Sequence, residues 1–333
     1  MKYKILKNTD LQLSDICLGT ASFGEHLNRQ QSFELLDDFV REGGNFLDTA
    51  NVYCRWEPGL RNCSEQIIGE WLKSRGAYKN MVIATKGAHY LFGGEEHISR
   101  VNEREIRKDL ENSLETLGVD VIDFYWLHRD DQNKSIEEIV DIMEKLKKEG
   151  KIRYYGFSNY QLYRLKKAEK YVQSRKLCGI CGVSNQWSMA SINPHGNMNP
   201  DPTLVELHEE EYLWHKETGT PVIPFSATAS GWFEKMKRAG MQVKNGEVLQ
   251  IEKPELLSEA MKKAFWNEEN LKKYEKLLEL QRETGYSLQA LSISWLLQQP
   301  FQVFPVCGAR NTSQLKEIMK ASHISLTLED FYS

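Results

Sequence analysis

Residues 113–128 read SLETLGVDVIDFYWLH, and they contain one complete structural transition. Ser113–Leu117 has the character of a last helical turn, and Gly118 stands where a left-handed residue closes a helix. Val121–Leu127 is an apolar run, interrupted only by Asp123 and rich in β-branched and aromatic residues, which predicts a buried strand. A polar residue, His128, follows at once. Further on, Ser135 with Glu138 has capping-box spacing, Leu146–Glu149 leads into Gly150, and Arg153–Phe157 predicts the next strand. A strand, a helix and a second strand in this order predict parallel neighbours, because only a crossover can return the chain in the same direction.

The same unit extends outward to both ends. Strands are predicted at Ile16–Thr20, Asn45–Asp48, Met81–Thr85, Val121–Leu127, Arg153–Phe157, Cys181–Asn185, Pro221–Phe225 and Val303–Cys307. Arg29–Glu42 has helical apolar spacing and stops at Gly43-Gly44; Asn102 with Glu105 and Thr203 with Glu206 add capping-box spacings. Eight such units predict an α/β fold, the (β/α)8 or TIM barrel. Neither G-x-G-x-x-G nor a phosphate loop of the G-x-x-x-x-G-K-[ST] type occurs, which argues against a doubly wound nucleotide fold. We expect one domain over 1–333, with a short N-terminal β-hairpin in 1–14 turning at Asn8-Thr9-Asp10. Two long loops follow strands, 191–202 and 227–266, and are expected as active-site loops on the C-terminal face. Ala227 to Pro254 reads as irregular, followed by helices at about Asn267–Thr284 and Ser287–Gln299.

Composition narrows the function. The 333 residues are 41% hydrophobic and 27% charged, with a net charge of −4, as in a soluble globular protein. There is no concentrated basic face for nucleic acid or an anionic membrane, and the densest basic patch, Lys235, Lys237 and Arg238, is short. No signal-peptide core or long apolar run is present, and six scattered cysteines suit a reducing cytoplasm. Cys178-x-x-Cys181 lacks a second pair and reads as strand-edge packing; His208, Glu211 and His215, beside Glu209 and Glu210, read as a solvated helix face.

In a barrel, chemistry gathers at the residues just past the strands. Here these include Asp48 with Tyr53, then Lys86, His128, Ser158-Asn159, Gln186, Ser226 and Gly308-Ala309-Arg310. A phenol near an ammonium is expected to have a lowered pKa, and a carboxylate would hold that ammonium in place. Such a set can protonate the alkoxide formed when a carbonyl accepts hydride, and the hydride must come from a cofactor.

Several segments carry a resemblance to the aldo-keto reductase superfamily along essentially the whole chain. They are Leu18-Gly19-Thr20, Asp48-Thr49-Ala50 with Tyr53, Ala84-Thr85-Lys86, 121–128, Glu149–Arg153, Gly156–Asn159, and Gly308-Ala309-Arg310 with Gln314-Leu315. The resemblance implies NADP(H)-dependent reduction of an aldehyde or ketone. Tyr53 would be the general acid, Lys86 and Asp48 its tuning pair, and His128 the substrate-orienting residue. It further implies a cofactor site of Gly19, Thr20, Ser158, Asn159, Gln186, Ser226, Gly308, Arg310, Gln314 and Glu317, with Arg310 and Gln314 at the adenosine 2′-phosphate. Members usually carry Asn where this chain has Ile318, and Pro or a basic residue where it has Cys307. Trp56, Trp187 and Trp232 are expected as substrate-pocket walls, and the polar and aromatic loops suggest a small-molecule carbonyl, sugar-derived in the first instance. Two other readings stand beside this one: a non-catalytic NADP-binding accessory subunit, and a redox-neutral sugar-modifying enzyme that keeps its NADP bound.

Overall fold

The computed structural model describes residues 1–333 except 57, 58, 92–96, 195, 197, 199, 200 and 333. A short antiparallel hairpin, β1 (Tyr3–Ile5) and β2 (Gln12–Ser14), comes first, turning at Asn8 with φ 62°. Parallel strands and helices then alternate: β3 (Cys17–Gly19), α1 (Arg29–Arg41), β4 (Phe46–Asp48), α2 (Cys63–Arg75), β5 (Val82–Gly87), α3 (Glu103–Leu117) and β6 (Ile122–Leu127). They continue with α4 (Ile136–Lys148), β7 (Ile152–Ser158), α5 (Leu162–Arg175), β8 (Ile180–Ser184) and α6 (Glu209–Thr218). Past the seventh strand position lie α7 (Trp232–Arg238), the hairpin β9 (Gln242–Lys244) and β10 (Glu247–Gln250), α8 (Glu259–Phe265), α9 (Glu268–Thr284) and α10 (Leu288–Leu297). The last units are β11 (Val306–Cys307) and α11 (Thr312–Met319).

Seven of these strands form one parallel sheet in the order β11-β3-β4-β5-β6-β7-β8. The segment 221–225 closes it into a barrel. Val222 is bridged to Val183 on one side and to Val303 on the other, and Val306 N–H donates to Pro224 O at 3.0 Å. The expected seventh strand is therefore present in position but not as a regular ladder. Pro221 and Pro224 have no N–H to donate, so only isolated bridges survive. Pro305 shortens the eighth strand in the same way.

Two cores hold the barrel. Leu6, Leu11 and Leu13 of the hairpin pack with Phe46, Phe124, Trp126, Cys181, Ile223 and Phe304, so the hairpin fills the barrel's N-terminal end. A larger shell joins the outward faces of the strands to the helices, for instance Leu47 and Tyr125 to Ile68, Leu110 and Ile139. The opposite end, at the C-termini of the strands, is left open for a cleft.

Helix signals were met at most positions. Asn102 and Ser135 each accept a hydrogen bond from the third helical N–H, and Gly118 closes α3 at φ 69°. Thr203 and Glu206 do not start a helix: Thr203 bonds Asp201 Oδ1 through both its N–H and its hydroxyl, and α6 begins only at Glu209. The stretch from Ala227 to Pro254 is not irregular, since it contains α7 and the β9–β10 hairpin. In the expected loop 191–202, residues 195, 197, 199 and 200 lie outside the described residues. Among the described residues, no helix is long and apolar enough to cross a membrane.

Candidate active site

Asp48 is the last residue of β4, and Lys86 lies near the end of β5 beside it. Both are 2% exposed. The Lys86 ammonium donates to Asp48 Oδ2, to Thr49 O at 2.8 Å and to Tyr53 Oη at 3.2 Å. Tyr53 reaches this point because the chain turns sharply after β4. Thr49 N–H donates to Ala84 O and Asn51 N–H to Lys86 O, which pins the turn to β5, while Cys54 adopts φ 71°. Hydroxyls support it from behind: Ser64 Oγ donates to Thr20 O at 2.9 Å, and Thr20 Oγ1 donates to Asp48 O at 2.9 Å.

The electrostatics differ from expectation at one residue. Burial raises the Tyr53 pKa, and the nearby Lys86 ammonium offsets only part of that rise. The expected net lowering does not occur, because desolvating a phenolate costs more here than the ammonium returns. Burial pulls Lys86 down, but Asp48 and then Tyr53 outweigh it and hold the ammonium charged. Burial pushes Asp48 up against the opposing pull of Lys86. The chemical result is a neutral, protonated phenol next to a charged lysine.

His128 follows β6 and faces Tyr53, with ring centroids 6.2 Å apart. Burial, then Arg129 and His89, hold it well below the ordinary histidine range, so the ring is neutral. A neutral imidazole can donate one hydrogen bond to a carbonyl oxygen without competing for the proton. Its backbone is fixed by neighbours: Arg129 Nη1 and Asn159 Nδ2 both donate to His128 O, at 2.8 and 3.1 Å.

These four side chains stand in a cleft of about 1110 Å3. All ten residues expected to hold the cofactor line it. Gly19, Thr20, Ser158, Asn159 and Gln186 lie toward the barrel centre, with Ser158 Oγ donating to Ser184 O at 2.8 Å. Ser226, Gly308, Arg310, Gln314 and Glu317 lie outward. Gln314 Oε1 accepts from Arg310 N–H at 2.9 Å, and Glu317 pairs with Lys320 at 2.5 Å. Ile318 is fully buried in the core and does not line the cleft.

Residues outside the expected site complete the lining. Lys235 and Arg238, from the short basic patch, enter the cleft on α7 with Arg310 close by. Burial, then Arg310 and Arg238, lower the Lys235 pKa. Lys235, Arg238 and Arg310 bring three cations to the cleft, beside the carboxylates Glu234 and Glu317. Left-handed backbone at Ser226, Ala229, Ser230 and Gly231 bends the loop that leads into α7. The clustering of Lys235 and Arg238 is visible in the sequence, but its place at the cleft depends on α7, which is too short to show a helical period.

A smaller cleft of about 390 Å3 adjoins the first and shares Tyr53, His128 and Arg129 with it. Val52, Trp56, His89, Tyr90 and Asp201 complete its lining. Arg129 is fixed in place by Asp201 at 2.8 Å and by Thr203 Oγ1 at 2.7 Å. Trp56 therefore takes a wall position. Trp187 and Trp232 do not. Trp187 packs among Trp295, Phe301 and Tyr212, and Trp232 is wholly buried against Phe265. Glu211 and His215 are buried as well, not solvated: Glu211 accepts from Asn185 Nδ2 at 2.8 Å, and His215 Nδ1 lies 2.8 Å from Thr220 O. Among the described residues, no three or more His, Cys, Asp or Glu side chains are grouped so as to hold a metal ion.

The described geometry joins a barrel without a Rossmann fingerprint to an Asp-Tyr-Lys-His set at its mouth. Residues 15–333 match the model of the aldo/keto reductase family, and the chain belongs to that family. It is 28% identical to an uncharacterized oxidoreductase, YrpG, of Bacillus subtilis (strain 168), over 99% of this chain and 93% of the relative. It is also 28% identical to the aryl-alcohol dehydrogenase [NADP(+)] of Phanerodontia chrysosporium, over 96% and 81%. Among solved structures, the aldo-keto reductase AKR11C1 from Bacillus halodurans, in its holo form, superposes with a TM-score of 0.69 at 25% identity. That match covers 100% of this chain and 94% of the other. The protein is therefore an oxidoreductase of the carbonyl-reducing kind, on a (β/α)8 fold.

Proposed function

We propose that this chain reduces an aryl aldehyde or ketone to the alcohol with NADPH, and that Tyr53 gives the proton. The observation that carries this reading is the Lys86 ammonium, bonded at once to Asp48 and to Tyr53 Oη at the floor of a cleft. When bound, the nicotinamide cofactor supplies hydride. The cleft fits such a group: one end is polar and uncharged at Ser158, Asn159 and Gln186, and the other gathers Lys235, Arg238 and Arg310. Arg310 and Lys235 would hold the 2′-phosphate end, which favours NADPH over NADH.

Tyr53 keeps its proton at neutral pH, as its raised pKa requires, and is poised to donate it to an oxygen between its hydroxyl and His128. His128, held neutral, orients that oxygen. As the proton leaves, negative charge grows on Tyr53 Oη, and the Lys86 N–H already pointing at it stabilises the charge. Trp56, His89 and Tyr90 give the smaller cleft an aromatic lining, which supports a flat aryl group over a sugar-derived one.

The test is oxidation of NADPH and of NADH against benzaldehydes, aliphatic aldehydes, ketones and aldoses, with Tyr53→Phe beside wild type. We expect aryl carbonyls with NADPH to turn over best. Tyr53→Phe should lower kcat by about 10^2–10^4-fold, the usual contribution of a general acid, while NADPH binding persists. Turnover that survives in Tyr53→Phe would overturn the mechanism. A wild type that binds NADPH without any turnover would favour an accessory subunit. Release of NADP on denaturing fresh protein would favour the redox-neutral reading.

A further inference from the structure

Cys178 and Cys181 lie at the far end of the barrel from the cleft, at the start of β8. Gly179, between them, has φ 74°, and this left-handed residue bends the chain so that two side chains three positions apart face each other. Their sulfurs are 4.0 Å apart. Cys178 is exposed, with its thiol 3.5 Å from Asn8 O in the turn of the N-terminal hairpin. Cys181 is buried in the inner core that the hairpin seals. Of the other cysteines, Cys17, Cys54 and Cys307 are buried and Cys63 is partly so, which leaves Cys178 the most accessible thiol.

From this arrangement we infer that Cys178 and Cys181 form a peroxide-reactive dithiol, with Cys178 the attacking sulfur and Cys181 the resolving one. The surroundings favour that division. The hydrogen bond from Cys181 and the Lys147 ammonium pull Cys178 down, against burial and Glu144, which favours its thiolate over that of an ordinary cysteine. Cys181 is pushed up by its bond to Cys178 and by burial, so it keeps its proton until it acts.

The chemistry closes with hydrogen peroxide as oxidant. The Cys178 thiolate attacks one peroxide oxygen; an S–O bond forms, the O–O bond breaks, and the departing hydroxide takes a proton to become water. Cys178 is then a sulfenic acid, oxidised by two electrons. Cys181 loses its proton and attacks that sulfur; the S–S bond forms, the S–O bond breaks, and a second water leaves. Closing the sulfurs from 4.0 Å to the usual ~2.05 Å needs a movement of only about 2 Å, shared by two side chains. A dithiol reductant, itself oxidised to a disulfide, returns both cysteines to thiols.

The test treats the full protein with hydrogen peroxide, alkylates free thiols and maps them by mass on the tryptic peptide 177–216, which holds both cysteines. We expect that peptide to lose the mass of two hydrogens, to escape alkylation, and to recover both after dithiothreitol. Cys178 should react about two- to fivefold faster than an exposed thiol of ordinary pKa, since its larger thiolate fraction outweighs the lower nucleophilicity of a low-pKa thiolate. In Cys181→Ser, Cys178 should stop as a sulfenic acid that dimedone captures; in Cys178→Ser, Cys181 should stay reduced. Two alkylatable thiols in 177–216 after peroxide, a disulfide only between molecules, or unchanged loss of Cys181 in Cys178→Ser would each overturn the proposal.

Discussion

Glu65 is a fully buried carboxyl group behind the loop that carries Tyr53. Thr85 Oγ1 donates to it at 2.6 Å and Asn51 Nδ2 at 3.3 Å, so it ties α2 both to β5, one residue before Lys86, and to the turn after β4. Burial raises its pKa to about 7, against the pull of those hydrogen bonds and of Arg55. The native state then binds this proton more tightly than the unfolded chain does. Its stabilising contribution is complete below the unfolded value near 4.5 and is lost as the pH rises through about 7. The loss amounts to about 3 kcal/mol over that window, at 1.36 kcal/mol per pH unit. Glu65→Gln keeps the hydrogen-bonding shape without the charge, so its stability relative to wild type should climb by about that amount between pH 4.5 and 7. Urea denaturation across the range measures it, and parallel pH slopes for the two proteins would refute the assignment.

At the scale of elements, α2 meets the end of α3 at Gly69. A methyl group there would lie 2.3 Å from Thr116 O and 3.1 Å from Leu117 Cα, both backbone atoms that cannot step aside. Helix propensity favours alanine over glycine by about 1 kcal/mol, while an overpacked contact of this kind costs about 1–3 kcal/mol. The clash outweighs the propensity gain, and Gly69→Ala should lower the stability by up to about 2 kcal/mol in thermal or urea unfolding. A more stable variant would show that the two helices can separate. Elements were also where the sequence was most uneven as a guide. Strands β3 to β8 were legible because each is a short apolar run ending at a polar residue. The seventh was legible as a position only, since Pro221 and Pro224 carry the right neighbours without the ladder. Helix α7 was missed because Trp232–Arg238 is a two-turn segment after a glycine, too short to show a period.

For the whole molecule, a net charge of −4 conceals a cationic end of the cleft, where Lys235, Arg238 and Arg310 meet. Arg310→Ala and Lys235→Ala should each raise the NADPH KM by about ten- to a hundredfold, the equivalent of one charge-assisted hydrogen bond. The NADH KM should scarcely change. The NADPH KM of the wild type should rise with salt more steeply than that of either variant, and equal losses for both cofactors would remove these residues from the 2′-phosphate. Positions past the strand ends could be listed from sequence because a barrel fixes where they converge. Whether an aromatic or a charged residue faces a cleft or a core could not. Trp56 and Trp187 each stand in a segment after a strand, yet only the fold sends one to a wall and the other into a cluster with Trp295 and Phe301. Glu211 and His215 follow two exposed glutamates and still turn inward.

The three acceptors around Lys86 have one more consequence. An ammonium group has three hydrogens, and here Asp48, Thr49 and Tyr53 take one each. No lone pair remains on that nitrogen, and Asp48 opposes its loss of a proton. An enzyme that concentrates aldehydes beside a primary amine courts imine formation, which would cap the lysine and silence the site. The same contacts that aim the ammonium at Tyr53 deny an aldehyde the free amine it would need, so the site can handle an electrophile without being modified by it.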